Sequence, residues 1–202
     1  MEKIREFFGV YLRRGFIPLL SVLLRLKVTP NQITIVGTAL NMAAAVLVVD
    51  DHLIWAGVVF LAANCCDMLD GALARRAQMT TPFGAFLDST LDRVSEGVVL
   101  ASIAYLLATQ GHSVDAALVA LALMGSMLVS YTRARAESLG LDCKVGLMSR
   151  PERVILIAIG LFFSVLSYVI YIMLALTVFT VVQRVVHTYR QLDKKQGGFV
   201  ER

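Results

Sequence analysis

Long stretches without a charged residue dominate the pattern of this chain. Five runs lack charge entirely: residues 28–49, 53–66, 97–114, 116–132 and 154–183. A helix needs about 20 mostly apolar residues to cross a bilayer. The last run is long for a single helix and predicts two helices joined by a turn near Ser164–Ser167. The pattern therefore predicts an all-α polytopic membrane protein with six transmembrane helices.

The segment before the first predicted span has a different pattern. Residues 3–27 carry six basic side chains among apolar ones, and Pro18 interrupts the run. A basic amphipathic helix of this kind is typical of the membrane interface. Pro30 then favours an extended residue before it and a helix start after it. We expect an interfacial helix over residues 1–27, a transmembrane domain with the candidate site over 28–191, and a mobile cytoplasmic tail over 192–202.

Composition and charge support the membrane class. The chain has 202 residues, of which 57% are hydrophobic and 17% charged, too apolar for an average soluble domain or for a disordered chain. A net charge of +4 could indicate nucleic acid. With six spans, however, all 19 Lys and Arg fall on one side of the membrane. The positive-inside rule then places both termini in the cytoplasm and the chain in the cell membrane, with no nucleic acid as partner.

Acidic residues interrupt the apolar pattern around the second and third spans. Asp67 and Asp70 are three positions apart, and Asp88 and Asp92 are four apart, so each pair lies on one face of a helix. The two helices are consecutive and antiparallel, so we expect both pairs near the same cytoplasmic end. Glu96 follows one turn later and either supports Asp92 or pairs with an arginine.

Four converging carboxylates predict a cation site. In a low dielectric they would repel each other unless a cation joined them, and hard cations such as Mg²⁺, Mn²⁺ or Ca²⁺ prefer oxygen ligands. Gly71 and Gly84 allow close backbone approach, and Arg75 lies one turn beyond Gly71, where it suits an anionic group such as phosphate. The alternative is that the acids form ordinary polar contacts between helices, which their number and spacing disfavour.

The spacing of these residues resembles the signature of the CDP-alcohol phosphotransferases. The sequence reads Asp67-x-x-Asp70-Gly71-x-x-Ala74-Arg75, eight residues, then Gly84-x-x-x-Asp88-x-x-x-Asp92, and all eight signature positions match. The predicted six-span layout and interfacial helix also resemble that family. The resemblance implies transfer of a phosphoalcohol group from a CDP-linked lipid to an acceptor hydroxyl, with release of CMP.

The resemblance also implies roles for individual residues. Two divalent cations, Mg²⁺ or Mn²⁺, would be held by Asp67, Asp70 and Asp88, while Asp92 would ligate the second metal or act as the base on the acceptor hydroxyl. A carboxylate beside the attacking hydroxyl can take its proton. The CDP-lipid would contact these positions: Asn31, Thr34, Asp67, Gly71, Ala74, Arg75 and Gly84. For Asn31 and Thr34, a helix-capping role is the alternative.

A second, basic cluster bears on the acceptor. Ser130-Tyr131-Thr132-Arg133 ends the fourth span, Ser149-Arg150-Pro151-Glu152-Arg153 starts the fifth, and Arg184 lies inside the sixth. These segments resemble the phosphatidylinositol-phosphate synthases of the family, which implies that the inositol phosphate acceptor binds Ser130, Arg133, Arg153 or Arg150, and Arg184. Those relatives often carry Lys where Arg133 stands. The alternative is that the basic residues are cytoplasmic flanks that contact lipid headgroups.

Several functional alternatives stay open at this point. Glycerol-3-phosphate relatives also need an anion site, and archaeal relatives use an ether-lipid analogue of CDP-diacylglycerol. A divalent-cation transporter would also use intramembrane carboxylates, but it needs polar residues through both halves of the membrane. A non-catalytic scaffold has no need of four aligned aspartates. The family resemblance implies a homodimer.

Overall fold

The fold is helical throughout the part of the chain that the structure describes. This computed structural model describes residues 18–200, with side chains through residue 194, and it contains no strand in that range. The helices are α1 (18–25), α2 (Pro30–Val49), α3 (Leu53–Arg76), α4 (Pro82–Thr109), α5 (Ser113–Ser138), α6 (Arg150–Phe163) and α7 (Leu166–Val200). The all-α prediction is confirmed for these residues. Most of the predicted interfacial helix and the end of the predicted tail lie outside them.

Four helices within the described range are long and apolar enough to cross a membrane. They are α2, α3, α5 and the Leu166–Lys194 part of α7. Helix α4 has 28 residues, but charged side chains occupy its first half. Helix α6 has only 14 residues, fewer than a straight span needs. The chain is therefore a membrane protein with at least these four candidate spans.

The break predicted in the long apolar run lies at Ser164. Helix α6 ends at Phe163, and Ser164 adopts a left-handed conformation with φ of 53°. The backbone N–H of Val165 donates to the carbonyl of Gly160 at 3.1 Å, which closes the end of the helix. Helix α7 then begins at Leu166 and packs against α6.

Helix starts follow local capping rules. Thr29 caps α2: its backbone N–H donates to Gln32 Oε1 at 2.9 Å, while its hydroxyl accepts from the Gln32 backbone N–H. Thr81 caps α4 by accepting from the Gly84 backbone N–H at 3.0 Å. Only residues 77–81 separate α3 from α4, and both helices pack on α2. The end of α3 and the start of α4 therefore lie at the same end of the bundle.

The apolar core fills the half of the bundle away from the aspartates. Buried residues of this core include Val48, Phe60, Ile103, Leu161 and Met173. Helix α2 packs on α3 and α4, α5 packs on α4 and α7, and α6 packs on α3 and α7. The polar residues of α3, α4, α5 and α6 are thereby collected at one end of the bundle.

The connection between α5 and α6, residues 139–149, is held against α7. Met148 N–H donates to Thr180 Oγ1 at 3.0 Å, and Gln191 Nε2 donates to the carbonyl of Asp142 at 2.8 Å. Gly146 has φ of +133°, and a Cβ there would lie 2.6 Å from Thr180 Cγ2. Only glycine fits this conformation and this close approach. The connection thus forms a fixed wall beside α7.

Candidate functional site

One aspartate of each pair contacts an arginine from α6. Arg150 Nη2 lies 2.5 Å from Asp67 Oδ2 on α3 and 2.8 Å from Asp92 Oδ1 on α4. The two carboxylates are largely buried, with side-chain exposures of 11% and 17%. Carboxylates in such surroundings need a positive partner. A cation carried by the chain itself therefore lies between the two acidic helices.

A first cleft opens between α2, α3 and α4. It has a volume of about 180 Å³, and its lining includes all the predicted CDP-lipid residues except Asp67: Asn31, Thr34, Gly71, Ala74, Arg75 and Gly84. Asp70 and Asp88 also line it. We call this space the donor cleft.

Close packing between helices shapes the donor cleft. Thr34 Oγ1 on α2 donates to Asp70 Oδ2 on α3 at 2.6 Å, and both residues are buried. A Cβ at Gly84 would lie 3.0 Å from Thr81 Oγ1 and 3.1 Å from Asn31 Oδ1. The absence of a side chain at position 84 therefore leaves Asn31 room beside α4.

A second cleft opens between α4, α5, α6 and α7. Its volume is about 500 Å³, and it is lined by every predicted acceptor residue: Ser130, Arg133, Arg150, Arg153 and Arg184. Asp88 and Asp92 form part of its wall. We call this space the acceptor cleft. The two clefts share Asp88, so they adjoin at this aspartate.

Two arginines of the acceptor cleft are buried and held by the protein. Arg184 Nε donates to the carbonyl of Val145 at 2.9 Å, and its Nη1 donates to the carbonyl of Val129. Arg153 donates to Glu96 through Nε at 2.5 Å and Nη2 at 2.9 Å. Exposures of 3% for Arg184 and 1% for Arg153 show that neither is a surface flank. Arg133, by contrast, is exposed and pairs with Glu137 at 2.8 Å.

The sequence did not predict several features of the site. Arg150 was expected at the acceptor phosphate; it does line the acceptor cleft, but its charged contacts are with Asp67 and Asp92. The anchoring of the 139–149 connection by Thr180 has no sequence signal. The start of α6 does have one, because Ser149-x-x-Glu152 is a capping box, and Ser149 N–H donates to Glu152 Oε2 at 3.0 Å.

The donor chemistry of the acidic residues fits hard divalent cations. Among the residues that the structure describes, no three Asp, Glu, His or Cys side chains are already arranged around one cation position. The carboxylates nevertheless supply the oxygen ligands that Mg²⁺ and Mn²⁺ prefer, on the consecutive helices α3 and α4. Arg150 already bridges two of them, so the position attracts positive charge.

Comparison with known proteins agrees with this geometry. The chain is 36% identical over 200 residues to the archaetidylinositol phosphate synthase of Methanothermobacter thermautotrophicus, covering 95% of this chain and 97% of the relative. The crystal structure of Mycobacterium tuberculosis phosphatidylinositol phosphate synthase with CDP-DAG bound superposes with a TM-score of 0.79 at 33% identity, covering 85% of this chain and 92% of that one.

A second crystal structure of the mycobacterial enzyme, in complex with manganese and citrate, gives a TM-score of 0.78 at 33% identity, covering 85% of this chain and 88% of that one. Residues 27–183, most of the chain, match the model of one protein family. This protein is therefore a transferase that belongs to the CDP-alcohol phosphatidyltransferase family.

Proposed function

We propose that this protein transfers the phosphatidyl group of CDP-diacylglycerol, or of its ether-lipid analogue, to a hydroxyl of inositol phosphate and releases CMP. The observation that carries the proposal is the meeting of two unlike clefts at Asp88. One is built largely from the family signature, and the other is lined by five arginines. The arginine-lined cleft suits an acceptor that carries a phosphate of its own.

The names of the relatives support inositol phosphate as the acceptor. The archaeal relative is named for archaetidylinositol phosphate, and the mycobacterial structures are named for phosphatidylinositol phosphate. These names differ in the lipid and agree in the headgroup. We therefore favour inositol phosphate over glycerol-3-phosphate, and we leave the donor as either lipid.

In the proposed mechanism, Asp67, Asp70, Asp88 and Asp92 hold two divalent cations, Mg²⁺ or Mn²⁺. When bound, such metals stabilise the charge on the attacking and leaving oxygens of an in-line displacement. The manganese complex of the mycobacterial relative supports this assignment.

The chain's own residues would orient the two substrates. Asn31, Thr34, Gly71, Ala74 and Gly84 bind the nucleotide end of the donor, and Arg75 binds its diphosphate. Ser130 and the arginines of the acceptor cleft bind the phosphate of the acceptor. Binding of the acceptor phosphate would hold an acceptor hydroxyl beside Asp92. Asp92 would then take the proton of that hydroxyl or ligate the second metal.

We also propose a six-span topology in which α4 and α6 cross the membrane with the four longer helices. The 19-to-0 distribution of basic residues then places both termini and the active site in the cytoplasm. In this arrangement residues 28–191 form the catalytic domain. Labelling of single cysteines introduced at Asp51 and at Lys144 should give opposite accessibility in intact cells.

A homodimer is proposed from the family resemblance and is tested by light scattering of the purified protein.

One assay tests the reaction. Purified protein in detergent is given CDP-diacylglycerol or CDP-archaeol with Mn²⁺, and CMP release is measured with inositol phosphate, inositol, glycerol-3-phosphate or no acceptor. We expect CMP release that depends on inositol phosphate and stops with excess EDTA. Faster CMP release with glycerol-3-phosphate would overturn inositol phosphate as the acceptor. No CMP release with any of these alcohols would overturn the proposed transfer reaction.

A divalent-cation transporter is the alternative from another class. The apolar core, with Val48, Phe60 and Ile103 all at or below 3% exposure, argues against a polar path through the bundle. Manganese uptake into proteoliposomes tests this directly, and we expect none above the level of empty vesicles.

A further inference from the structure

We propose that Glu96 is a positioning residue of the acceptor cleft, because it fixes the guanidinium of Arg153 in the orientation that leaves one nitrogen for the acceptor phosphate. The inference rests on the proposed function. It assigns a role to an acidic residue that lies outside the eight-residue family signature, one helical turn beyond Asp92.

The contact between the two side chains is a two-point one. Nε of Arg153 donates to Oε1 of Glu96 at 2.5 Å, and Nη2 donates to Oε2 at 2.9 Å. A planar guanidinium bound through two of its nitrogens to two carboxylate oxygens has a defined plane and direction. The two residues lie 57 positions apart, on α4 and α6, so the pair also fixes the register of these helices at the cleft.

The third guanidinium nitrogen of Arg153 is the one that the described part of the protein leaves unpaired. Arg153 Nη1 is buried and has no hydrogen-bond partner among the described residues, while Arg153 as a whole is 1% exposed. Buried donors are nearly always paired with protein, water or ligand. Because Arg153 and Glu96 both line the acceptor cleft, an acceptor oxygen is a natural partner for this nitrogen.

Charge balance gives Glu96 a second effect. The acceptor cleft is lined by five arginines, and three of these pair with acids: Arg133 with Glu137, Arg150 with Asp67 and Asp92, and Arg153 with Glu96. Without Glu96, Arg153 would be a buried cation with no ion-pair partner among the described residues, in a cleft whose wall also contains Asp88 and Asp92. Glu96 therefore keeps Arg153 on the acceptor and away from the metal ligands.

The test compares Glu96→Gln with the wild type. Glutamine keeps the size of the side chain but replaces one accepting oxygen with an NH₂ group, which cannot accept from Arg153. We expect the KM for inositol phosphate to rise about tenfold, a loss of about 1.4 kcal/mol. The KM for CDP-diacylglycerol and the Kd for Mn²⁺, measured by electron paramagnetic resonance, should stay within about twofold.

Two further variants make the result specific. Glu96→Asp keeps the charge with a shorter reach, and we expect a smaller rise in the KM for inositol phosphate. It also serves as the test if Glu96→Gln does not fold. Asp142→Asn removes an exposed carboxylate outside the cleft and should change neither KM.

Each contrary outcome has a distinct meaning. A weaker Kd for Mn²⁺ in Glu96→Gln would show that Glu96 supports Asp92 and would overturn the proposal. Unchanged acceptor KM in both Glu96 variants, with only a lower melting temperature, would reduce Glu96 to a structural role. If the wild type turns over another phosphorylated alcohol, the proposed acceptor fails, but the same comparison with that alcohol still tests Glu96.

Discussion

The two clefts are built on opposite principles, although they share Asp88. The donor cleft is lined by small residues together with Arg75, Asp70 and Asp88, and the close approach of Asn31 to Gly84 helps to shape it. The acceptor cleft is larger and basic, and its shape comes from long side chains that are held by hydrogen bonds. Small residues thus give the donor cleft much of its shape, whereas long charged side chains shape the acceptor cleft.

Under the proposed function, the difference between the clefts matches the difference between their ligands. The diphosphate of the donor and the aspartates are both negative, so a cation must lie between them. Further acidic side chains would repel the diphosphate, and bulky side chains would block its approach. An acceptor phosphate needs fixed positive charge, and fixed charge in a partly buried place needs partners that hold it. Arg184 uses two backbone carbonyls for this, and Arg153 uses Glu96.

The largest expected effect comes from substituting one aspartate of each cleft. Asp92 lines only the acceptor cleft, and Asp70 lines only the donor cleft. Asp92→Asn should lower kcat by about 10²- to 10⁴-fold, because the variant cannot take the hydroxyl proton. Binding of CDP-diacylglycerol, measured by calorimetry, should persist in Asp92→Asn and weaken in Asp70→Asn. Full activity of Asp92→Asn would exclude it as base.

The next effect concerns the arginine of α7. Arg184→Ala should raise the KM for inositol phosphate by about 10- to 100-fold, since a hydrogen bond from a charged group contributes about 1.5–3 kcal/mol. The KM for the lipid donor should not change. Arg184→Lys keeps the charge but loses one of the two hydrogen bonds to backbone. Its KM for inositol phosphate should therefore lie between the values of the wild type and of Arg184→Ala. An unchanged acceptor KM in Arg184→Ala would place the phosphate elsewhere.

A smaller effect is expected from the backbone of the donor cleft. The Cβ in Gly84→Ala would press on Thr81 and Asn31 at 3.0 and 3.1 Å, and overpacking of this kind costs about 1–3 kcal/mol. We expect the KM for CDP-diacylglycerol to rise several-fold with no change for inositol phosphate. Gly97→Ala is the matched control in the same helix, because a Cβ there meets no atom within 4 Å. Equal effects of the two substitutions would argue against a shape role for Gly84.

The smallest effect is expected at the rim of the acceptor cleft. Glu137 pairs with Arg133, and both side chains are 47% exposed. Exposed ion pairs contribute between 0 and about 1 kcal/mol, so Glu137→Gln should change the KM for inositol phosphate by less than about twofold. Measured beside Glu96→Gln, it compares an exposed acid–arginine pair with a buried one. An equal rise in both variants would show that burial does not distinguish the two pairs.

Local patterns made much of this molecule predictable. The spacing of the aspartates, glycines and Arg75 predicted their shared helix faces, and the short 77–81 connection placed the two aspartate pairs at the same end of the bundle. The turn at Ser164 followed from a run too long for one span. All of these depend on residues close in sequence or on helical periodicity alone.

The choice of partners between distant segments was not predictable in the same way. Arg150 and Asp67 are 83 positions apart, and nothing in either local pattern says that this arginine contacts aspartates as well as lining the acceptor cleft. For Glu96 the sequence left two partners open, and the structure pairs it with Arg153. Such choices depend on the relative height of helices, which periodicity does not specify.

The shortness of α6 has a consequence for the surrounding lipid. Fourteen helical residues extend for about 21 Å, against a hydrocarbon thickness of about 30 Å. In the proposed topology the irregular segment before Arg150 therefore lies below the level of the headgroups, where bare backbone is tolerated only beside protein or water. The bilayer must thin, or water must descend, on this side of the bundle. A soluble sugar phosphate and a membrane-embedded lipid could then react at one depth, with neither leaving its own phase.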